Sequence, residues 1–179
     1  MPKQNCPVNK TAGGNNAVAV AGVATTGANC PAFVAGALIG NGANVCRQFA
    51  RILGGDITDQ TADSCTVMRM RTELAPTILR RPAATALTLA ALFSYESPDT
   101  EGRTLNLGET VILQREVNPF IDVLRENKIL VTALHNHWMF DRPRLMYIHF
   151  ESISDPLVFA QAIADAWVVL TGRSEEDTE

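Results

Sequence analysis

ILVTALHNHWMFDRPRLMYIHFES, residues 129–152, decides how this chain folds. Two runs of strand-forming residues, ILVTALHNHW and RLMYIHFES, flank MFDRPR. That connection is short enough for the runs to return on each other as a hairpin. On the second run Met146, Ile148 and Phe150 form an apolar face, and Leu145, Tyr147, His149 and Glu151 form the other. On the first run Leu130, Thr132 and Leu134 alternate with Val131, Ala133, His135 and His137. If Leu130 and Leu134 join the apolar set against the core, His135, His137 and His149 gather on the opposite face. Tyr147 and Glu151 then lie beside them, and Asn136 points the other way. A slip of one residue would reverse every side chain, so this placement depends on register.

Outward from the hairpin, the periodicity predicts a helix over 44–53, with Val45, Phe49, Ile52 and Leu53 on one face and Gly54 and Gly55 as its stop. SCTVMRMRT alternates and predicts a strand with Arg69 and Arg71 on its wet face. TALTLAALFSYES and LNLGETVILQREV predict two more strands. A helix follows, with Asn118 as N-cap and Pro119 in first position. The last helix opens on Asp155 and Pro156, and its stripe is Phe159, Ala162, Ile163, Ala166 and Leu170. Helices interleaved with hairpin-linked strands predict an α+β fold, a mostly antiparallel sheet with helices packed on one face.

The predicted organisation has three parts: an uncharged Ala/Gly/Val-rich arm over 1–43, an α+β domain over 44–172 and an acidic tail over 173–179. Residues 11–46 contain no Asp, Glu, Lys, Arg or His. Gly, Asn, Thr and Pro31 interrupt this run too often for a transmembrane helix. Lys3, Lys10 and AVAVAGVA make no convincing signal peptide. The arm then reads either as a loosely packed tail or as an extended segment that adds a strand to a second copy. With no signal peptide, the expected location is the cytoplasm or a spore or cell surface. The net charge of −4 resides in the tail, since Glu175, Glu176, Asp177 and Glu179 leave 15 acidic and 15 basic residues elsewhere. A neutral body with three lysines argues against nucleic-acid or membrane-surface binding.

Cys6, Cys30, Cys46 and Cys65 form no CxxC pair. They permit two disulfides or four separate thiols. The expectation is that any disulfide involves the arm and that the body folds without one. GxGxxG, P-loop, GxSxG and HExxH motifs are absent.

Chemistry therefore rests on the histidines, all three of which fall within residues 135–149. His135 and His137, two apart on a strand, point the same way about 7 Å apart. Three imidazoles around one point suit a divalent transition metal, zinc or iron among them, with a fourth position open to water. Glu116 and Glu151 are the carboxylates that topology brings nearest, and Glu116 is taken as the auxiliary ligand. Asn136, Tyr147 and Glu151 are the further expected binding residues, Asn136 without a role at the metal because it points the other way. A hydrogen-bonded histidine network and a pH-sensitive contact are the competing readings.

GETVILQREVNPF (108–120), VTALHNHW (131–138) and PRLMYIHFES (143–152) resemble the LppY/LpqO family of bacterial proteins, over about 49–170. The resemblance is to short, single-domain members from spore-forming bacteria. The family motif matches Glu116, His135, Asn136, His137 and His149, which implies one site without implying a reaction. Some members resemble exported lipoproteins, but no lipobox follows an apolar run here. The expectation is a small α+β domain with a histidine metal site of hydrolytic or ligand-sensing character. The alternative is a structural or surface protein that self-assembles through its arm as a homo-oligomer.

Overall fold

The structure is a computed structural model that describes residues 42–171. The arm up to residue 41 and the tail from residue 172 lie outside the described residues, and with them the strand-donating reading of the arm. The chain runs α1 (Gly42–Leu53), β1 (Asp56–Gln60), β2 (Cys65–Met70), β3 (Thr77–Ile78), β4 (Arg81–Pro82), α2 (Ala86–Leu89), β5 (Ala90–Glu96) and β6 (Thr104–Leu113). A 3-10 turn (Gln114–Glu116) then leads to α3 (Val117–Glu126), β7 (Leu130–Asn136), β8 (Asp141–Arg142), β9 (Leu145–Ser154) and α4 (Pro156–Thr171). Six strands form one antiparallel sheet in the order β1-β2-β5-β6-β9-β7. β4-β3-β8 make a small second sheet. The fold is α+β, with α1, α3 and α4 packed on one face of the large sheet.

That face holds the core. Phe49 and Leu53 of α1, Phe120 and Leu124 of α3, and Phe159, Ile163 and Trp167 of α4 meet Val67, Phe93, Tyr95, Ile112, Ile148 and Phe150 of the sheet. Gly108 is required there: it pairs directly with Phe150 across β6 and β9, and a Cβ on it would drive into the Phe150 ring. Asp155 caps α4 as its sequence indicates, its Oδ1 accepting the N–H groups of Leu157 at 2.8 Å and Val158 at 3.2 Å. Gly54, at φ 66°, ends α1.

The structure corrects several expectations. The helix predicted to start at Asn118 begins at Val117, directly after the 3-10 turn, so Asn118 lies inside it. Pro119 still falls in the first turn, where its lacking N–H breaks no bond. The strand predicted from Thr85 begins with the single helical turn α2. Arg69 and Arg71 are not on a wet face. They share the helix-covered side of β2 with Cys65 and Val67, and the Arg69 guanidinium lies 4.3 Å over the Trp167 ring. The outer side of β2 is instead Thr66, Met68 and Met70, which the alternation alone could not distinguish from a core face.

The cysteine expectation is also overturned. Cys46, on the buried face of α1, is disulfide-bonded to Cys65 of β2 with Cα atoms 5.5 Å apart. The bond lies within the body and ties the first helix to the sheet. Closing a loop of this length stabilises by about 3 kcal/mol. A thiol reductant should therefore lower the urea midpoint by that equivalent. A Cys46→Ala/Cys65→Ala variant should start from the lower value and ignore the reductant; an unchanged wild-type midpoint would exclude the bond.

Candidate functional site

The hairpin sets the site. β7 and β9 pair with His135 opposite Tyr147 and Ala133 opposite His149. Residues directly opposite share a face. Tyr147, His149 and His135 therefore project from the side without α1, α3 and α4, while Ile148 and Phe150 enter the core. Leu134, opposite Ile148, keeps its expected side. A bulge between Val131 and Ala133 exchanges the first residues: Val131 packs on the core and Leu130, opposite Glu151, is exposed on the outer face.

Two histidines meet. His135 Nε2 and His149 Nε2 are 3.0 Å apart, with near-parallel rings. Behind them, His149 Nδ1 faces Glu109 Oε2 at 3.3 Å and His135 Nδ1 contacts the Asn136 carbonyl oxygen at 3.3 Å. A carboxylate and a carbonyl only accept, so both Nδ1 atoms carry hydrogen. In these tautomers the two Nε2 atoms point lone pairs at each other. Glu109 of β6 was not singled out in the sequence, although it lies within GETVILQREV. The signal is a pairing across strands, Glu109 opposite His149 on β9, which spacing along the chain does not encode.

His137 stands apart from this pair. Its ring stacks on Tyr147 at 4.0 Å between centroids, meets Trp138 edge-on at 4.9 Å, and lies 6.1 Å from His135. Its Nδ1 is buried, with no hydrogen-bond partner among the described residues. Burial, with the neighbouring His135, holds its pKa below the usual histidine value. Tyr147 is 5% exposed and donates its hydroxyl to the Ala90 carbonyl at 2.9 Å; burial, with the Glu109 charge, pushes its phenol up to about 12. Tyr147 is thus a wall of the site. Asn136, opposite Met146, faces away and contributes its carbonyl oxygen. Glu151 lines the cavity beside His149.

Glu116 is elsewhere. It is buried, and its carboxylate takes Arg71 Nη1 at 2.6 Å and Nη2 at 3.1 Å and the Leu113 N–H at 2.8 Å. These donors hold both oxygens, so Glu116 is a structural partner of Arg71 and makes no contact with the histidines. Glu109 occupies the place expected of it.

Two depressions flank Glu109 on the outer face. One of about 430 Å³ is lined by Thr66, Ser94, Leu107, Thr132, His149 and Glu151 among others. The other, about 290 Å³, is lined by Met68, Leu87, Leu92, His137 and Tyr147 among others. Among the described residues no group of three or more His, Cys, Asp or Glu side chains is arranged to hold a metal ion.

Residues 47–168, more than half of the chain, match the model of the family described as Domain of Unknown Function (DUF1259). The chain belongs to this family. No curated protein and no solved structure matches it significantly. The family span takes in Glu109, the hairpin and all three histidines, and it leaves Cys46 and the arm outside.

Two outcomes follow from the geometry. Glu116→Ala removes the buried carboxylate from Arg71 and leaves it only the half-exposed Glu73, and should cost about 3 kcal/mol in urea unfolding. His137 binds its proton less readily folded than unfolded, so stability is fully present above the ordinary histidine pKa of about 6.5 and falls as pH drops toward the folded value. Urea midpoints across that window should decline with acid in wild type and decline less in His137→Phe.

Proposed function

We propose that the outer face is a ligand site in which His135 and His149 hold a divalent transition metal, zinc or iron, with Glu109 as the carboxylate behind His149. One observation carries the reading: two Nε2 atoms 3.0 Å apart, each on a ring whose other nitrogen already has an acceptor. Metal–nitrogen bonds of about 2.1 Å place two imidazole nitrogens ~3.0 Å apart at a right angle and ~3.4 Å apart at a tetrahedral angle. The separation matches a right-angle bite, and metal uptake would turn both rings so that their lone pairs, which face each other without the ion, converge on it. A carboxylate on the far nitrogen fixes the tautomer and raises the ligand's basicity. Protons compete with a metal for the same two lone pairs, so metal uptake weakens as pH falls.

Two protein ligands leave positions for water or for a bound molecule, and His149 and Glu109 open on the larger depression. Such a site suits hydrolysis by metal-bound water or sensing of a small metal-coordinating ligand. His137 and Tyr147 form the neighbouring wall. The motif resemblance to the LppY/LpqO proteins supports treating the histidines as one site.

Elemental analysis and calorimetry with zinc and iron test the reading. His135→Ala and His149→Ala should each abolish binding. Glu109→Gln should weaken it by about 10–100-fold, the usual effect of removing an outer carboxylate. His137→Ala should retain it. A wild type that binds neither metal would overturn the site, and loss in His137→Ala equal to that in His149→Ala would overturn the two-histidine assignment.

A further inference from the structure

Opposite Thr77–Ile78 of β3 run Arg81–Pro82 of β4 on one side and Asp141–Arg142 of β8 on the other. Leu79 and Arg80 make the two-residue turn between β3 and β4, and the Leu79 N–H donates to the Phe140 carbonyl at 3.0 Å. Both turn residues have left-handed backbone, Leu79 at φ 50° and Arg80 at φ 65°. A two-residue hairpin turn of this hand favours Asn-Gly, because a Cβ at positive φ clashes with its own backbone. The sequence places an apolar and a cationic side chain where the turn itself calls for neither. Strain of this kind points to side chains retained for what they contact.

What they present is a tip of two chemistries. Leu79, Met139 and Phe140 are 68%, 79% and 66% exposed, and all three line one depression of about 430 Å³. Arg80, Arg142 and Arg144 line the same depression, and the exposed Arg81 follows on β4. The acid among them, Asp141, is buried: its Oδ2 accepts the Leu145 N–H at 2.7 Å and its Oδ1 lies 3.4 Å from Arg144 Nε. Arg80, Arg81 and Arg142 have no ion-pair partner among the described residues. The neutral balance of the body thus conceals a local cluster of cations.

We infer that this tip docks on an anionic lipid surface, with Leu79, Met139 and Phe140 entering the interface and Arg80, Arg81 and Arg142 on the phosphates. Apolar side chains ringed by arginine match the two layers of such a surface. The chain's own acidic tail complements the charge, but residues 173–179 contain no apolar side chain and would leave the three apolar residues in water. The depression at the tip shares no lining residue with the two that flank Glu109, and this inference does not rest on the metal site.

Sedimentation of the full chain with vesicles tests it, using phosphatidylcholine alone and phosphatidylcholine with phosphatidylglycerol in equal parts. Wild type should partition onto the mixed vesicles, less so at high salt, and not onto the neutral ones. Arg80→Gln/Arg142→Gln should lower partition by about tenfold or more. Leu79→Asn/Arg80→Gly is the decisive variant, because it installs the favoured turn. It should melt no lower than wild type and yet lose partition. Equal binding to both vesicles, or unchanged partition in that variant, would overturn the inference. So would failure to bind the mixed vesicles while a peptide of residues 173–179 binds the chain, which would assign the tip to an acidic segment.

Discussion

The Arg71 guanidinium is the point on which the covered side of the sheet is assembled. It is 1% exposed, and all five of its N–H groups are used. Nε donates to Glu73 at 2.7 Å, Nη1 to Glu116 and the Val111 carbonyl, and Nη2 to Glu116 and the Leu170 carbonyl. One side chain thus joins the end of β2, the strand β6, the turn that opens α3 and the last turn of α4. Burial alone would lower its pKa, but the bonds to Glu116 and the charges of Glu116 and Glu73 outweigh that and raise it. The arginine stays charged, and the arrangement is costly to break at either partner.

Arg69, two residues earlier on the same face, does similar work on another helix. Its Nη1 donates to the Leu53 carbonyl at 2.9 Å at the end of α1, and its plane lies over Trp167 of α4. Each arginine satisfies a terminal helix carbonyl that has no partner within its own helix and puts positive charge at the negative end of the dipole. The Cys46–Cys65 bond fixes the other end of α1. The helices are therefore pinned to one side of the sheet by polar and covalent ties as well as by the aromatic core, leaving the other side free of α1, α3 and α4.

What the sequence made legible follows from local chemistry. The hairpin, the Asp155 cap, the α4 stripe and the outward placement of His135 and His149 all depend on residues near one another in the chain. The failures depend on distant partners. Arg69 and Arg71 look solvent-exposed until Glu116, Leu53 and Leu170 arrive to satisfy them. Glu116 looks available until Arg71 occupies it. Glu109 acquires meaning only through the β6–β9 register, and the bulge that sends Val131 inward and Leu130 outward leaves no mark in the alternation. Cys46 and Cys65 meet because α1 lies back across β2, which their spacing does not state. The basic tip went unread because its arginines come from two segments more than fifty residues apart, joined by strands of two residues each.

The two faces of β6 explain why the histidine pair is held in place while remaining open. Gly108 gives its core side over to the Phe150 ring, and its neighbour Glu109 takes the outer side opposite His149. Phe150 follows His149 on β9, so the packing that seats the ring also fixes the backbone that aims the imidazole. His135 is aimed by the edge strand β7, which has β9 on one side and a free edge on the other among the strands described. The pair therefore joins an imidazole on a strand paired on both sides to one on an edge strand. An ion or proton between the two Nε2 atoms would add a side-chain tie between the edge strand and its neighbour β9, and occupancy of the site would be felt first in the order of β7.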